Sequence, residues 1–235
     1  QIYSNVIKTI KGKKYAFDNF GRMINGLVFL EMADGTTTSE IVRKLADDDD
    51  NHPYDTEDNF DQFVKDFADD INDHTLRCYY FGSSDDGAMK TGKQTVTIDG
   101  DSFTFKFKTG SNLKGTGLVG EDDDKLYMAG KQVKADKDDK YTVYKFDKNN
   151  NSVVEMSATE FLRECTDGGI YDDDKEETVY TVDADKYNNY NENGIYYYLI
   201  NTSGTILKNK TNAKDADDYK FNVNKRQITK VVLED

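Results

Sequence analysis

The sequence contains no tryptophan, one proline, two cysteines and two histidines among its 235 residues. Two cysteines do not form a disulfide framework, and neither has a Cys or His neighbour at the spacing of a zinc site. Cys78 and Cys165 therefore fit either a single bridge or a pair of buried thiols. The longest apolar runs, such as residues 195–200, are far shorter than the roughly 20 residues that a membrane helix needs, so no membrane insertion is expected.

Positive residues are fewer than negative ones. Thirty-one Lys and Arg residues face 45 Asp and Glu residues, which gives a formal net charge of −14 and a pI near 4.6. A polyanion is repelled by such a field, so general binding to nucleic acid or anionic lipid is excluded. The mean hydropathy of −0.82 leans towards disorder. Aromatic residues nevertheless make up 12% of the chain, with 16 tyrosines, which predicts a folded protein.

The sequence repeats itself. Residues 15–26, 80–92 and 197–209 share a template in which aromatic residues precede a polar turn, a glycine follows, and Met or Ile stands two positions later. A weaker copy at 126–133 repeats the Gly-Lys-Gln of residues 92–94. Each copy predicts a β-hairpin, because aromatic residues flank a turn that is rich in Asn, Asp, Ser and Gly. Lone hairpins are marginal in water, so we expect the copies to stack as in a solenoid.

Residues 96–107 give the clearest hairpin signal. Val96 and Ile98 alternate with threonines, and a Phe stands at every second position from Phe103 to Phe107. The dipeptide Asp99-Gly100 between them suits a tight two-residue turn. These residues therefore predict two strands with one apolar and one polar face.

Two stretches interrupt the hairpins with helical patterns. Thr37 and Glu40 form a possible capping box before Ile41, Val42 and Leu45, and the acidic run 47–50 is interpreted as a solvated connector. Residues 56–71 then place apolar side chains at helical spacing. Ser157 and Glu160 are expected to cap a second, short helix. The residues that form the first apolar stripe are Phe60, Phe63, Val64, Phe67 and Ile71.

The predicted fold is mostly β, or α+β overall: tandem β-hairpin repeats form an irregular solenoid with two helical insertions. Five segments follow from these patterns. They are N-terminal hairpins at 1–37, a helical insertion at 38–77, central hairpins at 78–155, a short helical insertion at 156–175 and C-terminal hairpins at 176–235. No leader opens the chain, so we interpret it as a mature or truncated part of a longer protein.

The best copy resembles a known repeat family. Residues 78–94, followed by Ile98-Asp99-Gly100, resemble the cell-wall-binding repeats that are also called choline-binding repeats, and clostridial toxin and glucan-binding repeats look similar. That family runs Tyr-Tyr-Phe, Asp-x-x-Gly-x-Met-x-Thr-Gly-Trp, then Ile-Asp-Gly, in units of roughly 20 residues that stack into a solenoid. The resemblance covers about half of the chain and implies a non-catalytic module that attaches to a cell wall.

The chain departs from the family where the ligand would lie. Choline is held by a cage of aromatic rings, usually including tryptophan. Here Cys78 and Ile195 occupy the position before Tyr-Tyr, and Leu27, Lys93 and Lys131 occupy the position after Gly. A lysine repels choline, so we predict that choline does not bind appreciably.

No catalytic, cofactor or metal site is expected. His52 and His74 lie beside no Ser or Cys nucleophile in a recognisable motif, and both are interpreted as surface or capping residues. The acidic runs 47–50, 122–124 and 172–174 offer oxygen ligands for calcium but lack EF-hand spacing. They are interpreted as solvated loops.

The tyrosines are the candidate ligand-binding residues. Their rings stack on the apolar faces of sugars if they line grooves between hairpins, whereas the alternative is that they form the core. In a strand, one residue of each adjacent pair points inwards and the other outwards. We therefore expect some of these tyrosines to pack in the core and others to be available to a ligand. The candidates are Tyr79, Tyr80, Tyr127, Tyr196, Tyr197 and Tyr198.

Two functions remain open. The first is a non-catalytic binding module of a secreted Gram-positive surface protein, which attaches to cell-wall polysaccharide or another glycan. The second is a structural spacer or protein-interaction stalk that kept the repeat fold without a ligand site and binds a protein partner at the helical insertion. An exposed group of rings favours the first, and an exposed apolar patch near Phe60 to Ile71 favours the second.

Overall fold

The computed structural model describes residues 2–36, 38–45 and 54–234. Thr37, the acidic run 47–50 and His52 lie outside these residues. The fold is mostly β, with 47% strand and 14% helix, as predicted. The chain divides into two compact units: unit 1 comprises 1–119 and 127–132, and unit 2 comprises 120–126 and 133–235.

Within the described part of residues 2–119, seven strands and two helices follow one another along the chain. They are β1 (Val6–Ile10), β2 (Lys13–Phe17), β3 (Leu27–Met32), β4 (Ile41–Leu45), α1 (Glu57–Asp66), α2 (Ala68–Asn72), β5 (Leu76–Tyr80), β6 (Gly92–Ile98) and β7 (Asp101–Phe107).

The described residues from 120 onwards form eleven strands and two helices. They are β8 (Gly120–Asp122), β9 (Lys125–Met128), β10 (Lys131–Gln132), β11 (Tyr141–Asp147), β12 (Ser152–Met156), α3 (Ala158–Cys165), β13 (Thr166–Asp172), β14 (Glu177–Val182), α4 (Ala184–Glu192), β15 (Ile195–Asn201), β16 (Lys210–Lys214), β17 (Tyr219–Asn224) and β18 (Gln227–Glu234).

The core of unit 1 forms on both faces of β3. This strand lies between β4 and β5 in an antiparallel sheet, and Val28, Phe29 and Leu30 are all buried. Val28 and Leu30 belong to an apolar cluster that includes residues of the β1–β2 hairpin, whereas Phe29 packs against the rings of Phe60 and Phe63 on α1. A continuous apolar run is typical of a strand that is covered on both faces.

The predicted hairpin at 96–107 is confirmed. Strands β6 and β7 pair in continuous antiparallel register from Gly92 with Phe107 to Ile98 with Asp101. Asp99 and Gly100 form the turn with φ values of 50° and 83°, as a type I′ turn requires. Within unit 1, β7 also pairs with β10.

The repeat template also has a common geometry. In the first and third copies, the side-chain oxygen of Asp18 or Asn201 accepts hydrogen bonds from the backbone N–H groups two and four positions later. Gly21 and Gly204, three positions after them, adopt a positive φ, which glycine tolerates without strain. After each turn, one isolated antiparallel bridge pairs the two sides of the hairpin, Phe17 with Met23 and Ile200 with Ile206. The repeated sequence therefore specifies the same turn twice, whereas a solenoid stacking of the copies stays a prediction.

Two predicted helices are confirmed. Thr56 caps α1 by accepting a hydrogen bond from the backbone N–H of Asn59, and the helical stretch continues as α2. Ser157 and Glu160 form the predicted capping box of α3 through reciprocal side-chain and backbone hydrogen bonds. Local capping hydrogen bonds thus determine where helices α1 and α3 begin.

Two predictions of local structure are wrong. Residues 41–45 form strand β4 rather than a helix, because their backbone pairs with β3, from Phe29 with Leu45 to Met32 with Ile41. The described residues contain four short helices, and the hairpin segment 176–235 includes α4, which Asp183 caps. Helix α4 carries few apolar residues, so its sequence shows no helical stripe.

Unit 2 is built from two antiparallel sheets around one core. The strand order is β12-β11-β15 in the first sheet and β13-β14-β18-β17-β16 in the second. Phe161, Tyr197, Leu199, Phe221 and other buried residues of both sheets and α3 form a single apolar cluster. The sheets are therefore held together by side chains from non-adjacent parts of the chain.

Both cysteines are free and buried. Cys78 lies on β5 in unit 1, and Cys165 is the last residue of α3 in unit 2. Burial raises the pKa of the Cys165 thiol to about 12 and also raises that of Cys78. Since the thiolate is the reactive form, neither thiol is activated at neutral pH.

Two turn aspartates with the same geometry are expected to respond oppositely to removal of their charge. Asp215, like Asp18, accepts hydrogen bonds on Oδ1 from backbone N–H groups two and four positions later. Burial raises the pKa of Asp18, but the hydrogen bonds from Arg22 and Phe20 outweigh it and lower that pKa overall. The pKa of Asp215 is raised, because burial outweighs its hydrogen bonds and Asp217 adds like charge.

A carboxyl group whose pKa is lower in the folded than in the unfolded state stabilises the fold at pH values above its unfolded pKa. A carboxyl group whose pKa is raised by folding destabilises the fold in that pH range. At about pH 7, Asp18→Asn should therefore lower the melting temperature and Asp215→Asn should raise it slightly. Each variant should change the free energy of unfolding by about 1 kcal/mol or less, and both changes should shrink at about pH 3. Circular dichroism melts at the two pH values measure this. Shifts of the same sign in both variants at neutral pH would contradict the assignment.

Candidate ligand-binding surface

Four of the six candidate tyrosines are core residues. Tyr79, Tyr127, Tyr197 and Tyr198 are 2%, 4%, 0% and 6% exposed. A ring with so little exposed area cannot stack on a sugar unless the core opens. The structure thus places these rings where the alternative interpretation expected them.

The hydroxyl groups of two buried tyrosines are satisfied internally. The Tyr197 hydroxyl donates a hydrogen bond of 2.6 Å to Oε1 of Glu164, and the Tyr198 hydroxyl donates one of 3.0 Å to Oε2 of Glu121. Burial and the neighbouring carboxylates raise the pKa of both hydroxyls. These groups therefore serve the packing of unit 2, since a buried hydroxyl needs a partner.

The remaining two candidates keep part of their surface exposed. Tyr80 stacks on Phe107 in unit 1, with ring centroids 6.1 Å apart, and Tyr196 stacks on Phe146 in unit 2, at 6.2 Å. Tyr80 belongs to unit 1 and Tyr196 to unit 2, and both are half-buried.

The apolar stripe of the helical insertion is not a surface. Phe60, Phe63, Val64 and Ile71 are all buried. Phe60 and Phe63 pack against Phe29 of β3. A protein partner at this stripe would have to displace the core of unit 1.

Exposed apolar side chains group instead on the first repeat. Ile2, Tyr3, Phe20 and Met23 are 83%, 38%, 72% and 39% exposed. Together with the half-buried Phe17 they form what we call the ring surface. Exposed apolar side chains are usually scattered singly, so a group of them indicates a binding function.

Contacts connect Tyr3, Phe17 and Met23 of the ring surface, and Phe20 precedes Gly21, over which Ile2 lies. The Tyr3 ring packs against Phe17, with centroids 5.6 Å apart, and Phe17 pairs with Met23 across the turn. Ile2 lies over Gly21, where a Cβ would come within 2.6 Å of Cγ2 of Ile2. A larger residue at position 21 would push this side chain away.

Charged groups surround the rings. The Lys8 ammonium lies 5.7 Å from the Tyr3 centroid, and the Arg22 guanidinium lies 5.0 Å from the Phe20 centroid. Nε of Arg22 also donates a hydrogen bond of 2.8 Å to Oδ2 of Asp18. Rings with polar groups at their edges suit a ligand that has both apolar faces and hydroxyl groups.

Sequence reasoning missed Phe20, although the repeat contains a signal for it. When the first and third copies are aligned on Gly21 and Gly204, Phe20 stands where the third copy has Ser203. Turns favour small polar residues at such positions. A phenylalanine that the turn does not need, and that packs into no core, indicates a functional role.

Other kinds of site receive no support in the part of the chain that the structure describes. No group of three or more His, Cys, Asp or Glu side chains is arranged there to hold a metal ion. No described helix is long and apolar enough to cross a membrane.

Comparisons with known proteins do not assign the chain to a family. No protein-family model matches the sequence. No curated protein matches it either. Among solved structures, CbpJ from Streptococcus pneumoniae TIGR4 is similar, with 12% sequence identity and a TM-score of 0.33 over 96% of this chain and 80% of that chain. A similarity of this size leaves the function to be argued from the chain's own surface.

Proposed function

We propose that this chain is a non-catalytic binding module of a secreted or cell-wall-associated protein, and that it attaches to cell-wall polysaccharide or another glycan. The observation that carries the proposal is the ring surface on the first repeat, where Tyr3 and Phe20 expose their rings. The apolar face of a sugar ring stacks on such rings, and its hydroxyl groups hydrogen-bond to polar neighbours such as Asp18 and Lys8.

Two further features support a glycan. The excess of acidic residues disfavours nucleic acid and anionic lipid but does not oppose a neutral polymer. The repeat geometry of the first and third copies also matches the sequence template that resembles cell-wall-binding repeats. Choline is not included in the proposal, because Cys78 and Lys93 stand where the repeats of that family place aromatic rings in the best copy. At the same position of another copy, Lys131 is buried and ion-paired with Glu57 and Asp61.

Removal of the two exposed rings should abolish most of the attachment. The double variant Tyr3→Ala, Phe20→Ala is expected to bind purified cell walls at least about tenfold more weakly, since loss of a central interface ring costs roughly 1 kcal/mol or more. Co-sedimentation with walls measures this, and walls stripped of polysaccharide give the background. Because Phe20 is 72% exposed, the fold should be retained.

Tyr171→Ala is the matched control, since it removes a ring of 48% exposure from unit 2. This variant should pellet with walls like the unchanged protein. The proposal is wrong if the unchanged protein does not enrich on walls, or if Tyr171→Ala loses as much binding as the double variant.

A further inference from the structure

Strand β13 is an open edge of the larger sheet in unit 2. It is the outermost strand of the order β13-β14-β18-β17-β16, and it pairs only with β14 among the described strands. Residues 169–172 pair with β14 in continuous register from Gly169 with Tyr180 to Asp172 with Glu177. The outer side of this stretch therefore offers backbone N–H and C=O groups for another strand.

The same stretch exposes apolar side chains. Ile170 is 77% exposed and Tyr171 is 48% exposed. Adjacent residues of a strand point to opposite faces, so both faces of the edge are apolar and accessible. Natural sheets usually protect such edges with lysine, proline, a β-bulge or a covering segment. Residues 169–172 contain neither lysine nor proline, and the bulge of β13 lies before them, between Thr166 and Gly169.

A groove opens beside the first half of β13. It has a volume of about 390 Å³. Leu162, Tyr180 and Tyr219 line it together with Gly168, and polar residues that include Arg163 and Asp167 complete the lining. The Tyr180 ring lies over Gly169, where a Cβ would come within 2.8 Å of it. The absence of side chains at 168 and 169 thus leaves room for one apolar side chain of a ligand.

Acidic residues stand at both ends of the edge. Asp167 precedes it with a side chain that is 79% exposed and bound to Lys186. Asp172 ends it, and Asp173 and Asp174 follow as exposed residues of the turn. Lys175 pairs with Asp172 and Glu177, and Lys186 pairs with Asp167 and Asp183. Carboxylates therefore outnumber lysines at each end of the apolar centre, which makes the potential there negative.

We propose that β13 binds an extended segment of a partner protein by strand addition, and that this segment has apolar residues at alternate positions with Lys or Arg at both ends. Backbone hydrogen bonds along the edge provide affinity, while the groove and the acidic ends provide specificity. A second copy of this chain fits less well. Antiparallel pairing of two β13 strands would place acidic ends against each other. The other edge, β16, keeps continuous register with its neighbour only at Ala213 and Lys214, whereas β13 does so over the four residues 169–172.

The test uses the full chain and a fluorescein-labelled peptide, Lys-Lys-Thr-Val-Thr-Val-Thr-Val-Lys-Lys, with fluorescence anisotropy as the readout. Saturable binding is expected, and it should weaken as sodium chloride is raised. The double variant Ile170→Lys, Tyr171→Lys should bind at least tenfold more weakly. Val154→Lys, at an exposed position of the edge strand β12, is the matched control and should bind normally.

Two further peptides test the recognition itself. A peptide with Glu in place of the four lysines should bind at least tenfold more weakly, and one with a central proline should not bind. The proposal is overturned if no peptide binds saturably, or if the Glu, proline and Lys peptides bind alike. It is also overturned if soluble wall polysaccharide, but no peptide, binds in a manner that depends on Ile170 and Tyr171. Failure of wall binding through Tyr3 and Phe20 would leave this proposal standing, since the surfaces are different.

Discussion

Replacing Glu57 by glutamine and Asp61 by asparagine together is expected to lower the free energy of unfolding of unit 1 by about 3–5 kcal/mol. The two carboxylates stand one helical turn apart on α1, and both contact the ammonium of Lys131, at 2.9 Å and 2.7 Å. The Lys131 side chain is only 3% exposed. The double variant leaves this ammonium buried without a counter-charge, which is far more costly than the loss of a surface ion pair.

Lys131→Met is the informative control for that variant. The ammonium lies 5.9 Å from the Phe60 centroid and 5.6 Å from the Phe103 centroid, so a methionine of similar length meets an aromatic environment. Glu57 is 43% exposed and can be hydrated. Oδ1 of Asp61 is buried, but burial raises the pKa of this carboxyl group, so it can take up a proton when the ammonium is removed. We expect a change within about 1.5 kcal/mol. Urea unfolding monitored by circular dichroism compares the variants, and equal losses in both would show that the charge is unimportant.

Phe60→Ala is expected to destabilise unit 1 by a similar amount, about 3–5 kcal/mol. Phe60 is fully buried, and its ring centroid lies 5.7 Å from that of Phe29 on β3 and 5.5 Å from that of Phe105 on β7. It therefore connects α1 to two separate sheets. Truncation leaves a cavity at this junction, which neighbouring rings cannot fill without moving the helix.

Phe67→Ala removes the same number of atoms from the same apolar stripe and serves as the comparison. Phe67 is only half-buried and contacts Phe63, with centroids 4.7 Å apart, so its loss should cost clearly less. Denaturant midpoints of both variants measure the difference. A larger loss for Phe67→Ala would contradict the role given to Phe60, and a free helical face that binds a partner would then have to be reconsidered.

The elements that the sequence predicted correctly are those with local causes. The turn at Asp99 and Gly100, the capping box at Ser157 and the repeated turns at Asp18 and Asn201 each depend on residues a few positions apart. Strand β4 depends on a distant partner, because its pairing with β3 overrides a short apolar pattern that also fits a helix. Helix α4 was missed since only its cap and two core-facing tyrosines, Tyr187 and Tyr190, mark it.

The candidate site was harder to predict for the same reason. Alternation along β15 indicates that Tyr197 and its neighbours face opposite ways, but it does not indicate which faces are covered. Both are covered here: Tyr197 packs within the core of unit 2, and Tyr198 opposes Tyr144 across the sheet. The composition indicates paired tyrosines as candidates, whereas Phe20, the most exposed ring of the ring surface, has no aromatic neighbour in the sequence of its turn. Only comparison between repeat copies would have identified it.

The separate burial of the two thiols has a practical consequence. Each compact unit holds one free cysteine, Cys78 in unit 1 and Cys165 in unit 2. A thiol reagent reaches each sulfur only when the surrounding packing opens, so the alkylation rate at each position reports local opening of that unit. Mass spectrometry of the two cysteine-containing peptides can therefore follow both openings in one sample. The two cysteines of the sequence thus report the opening rate of each unit without any engineered residue.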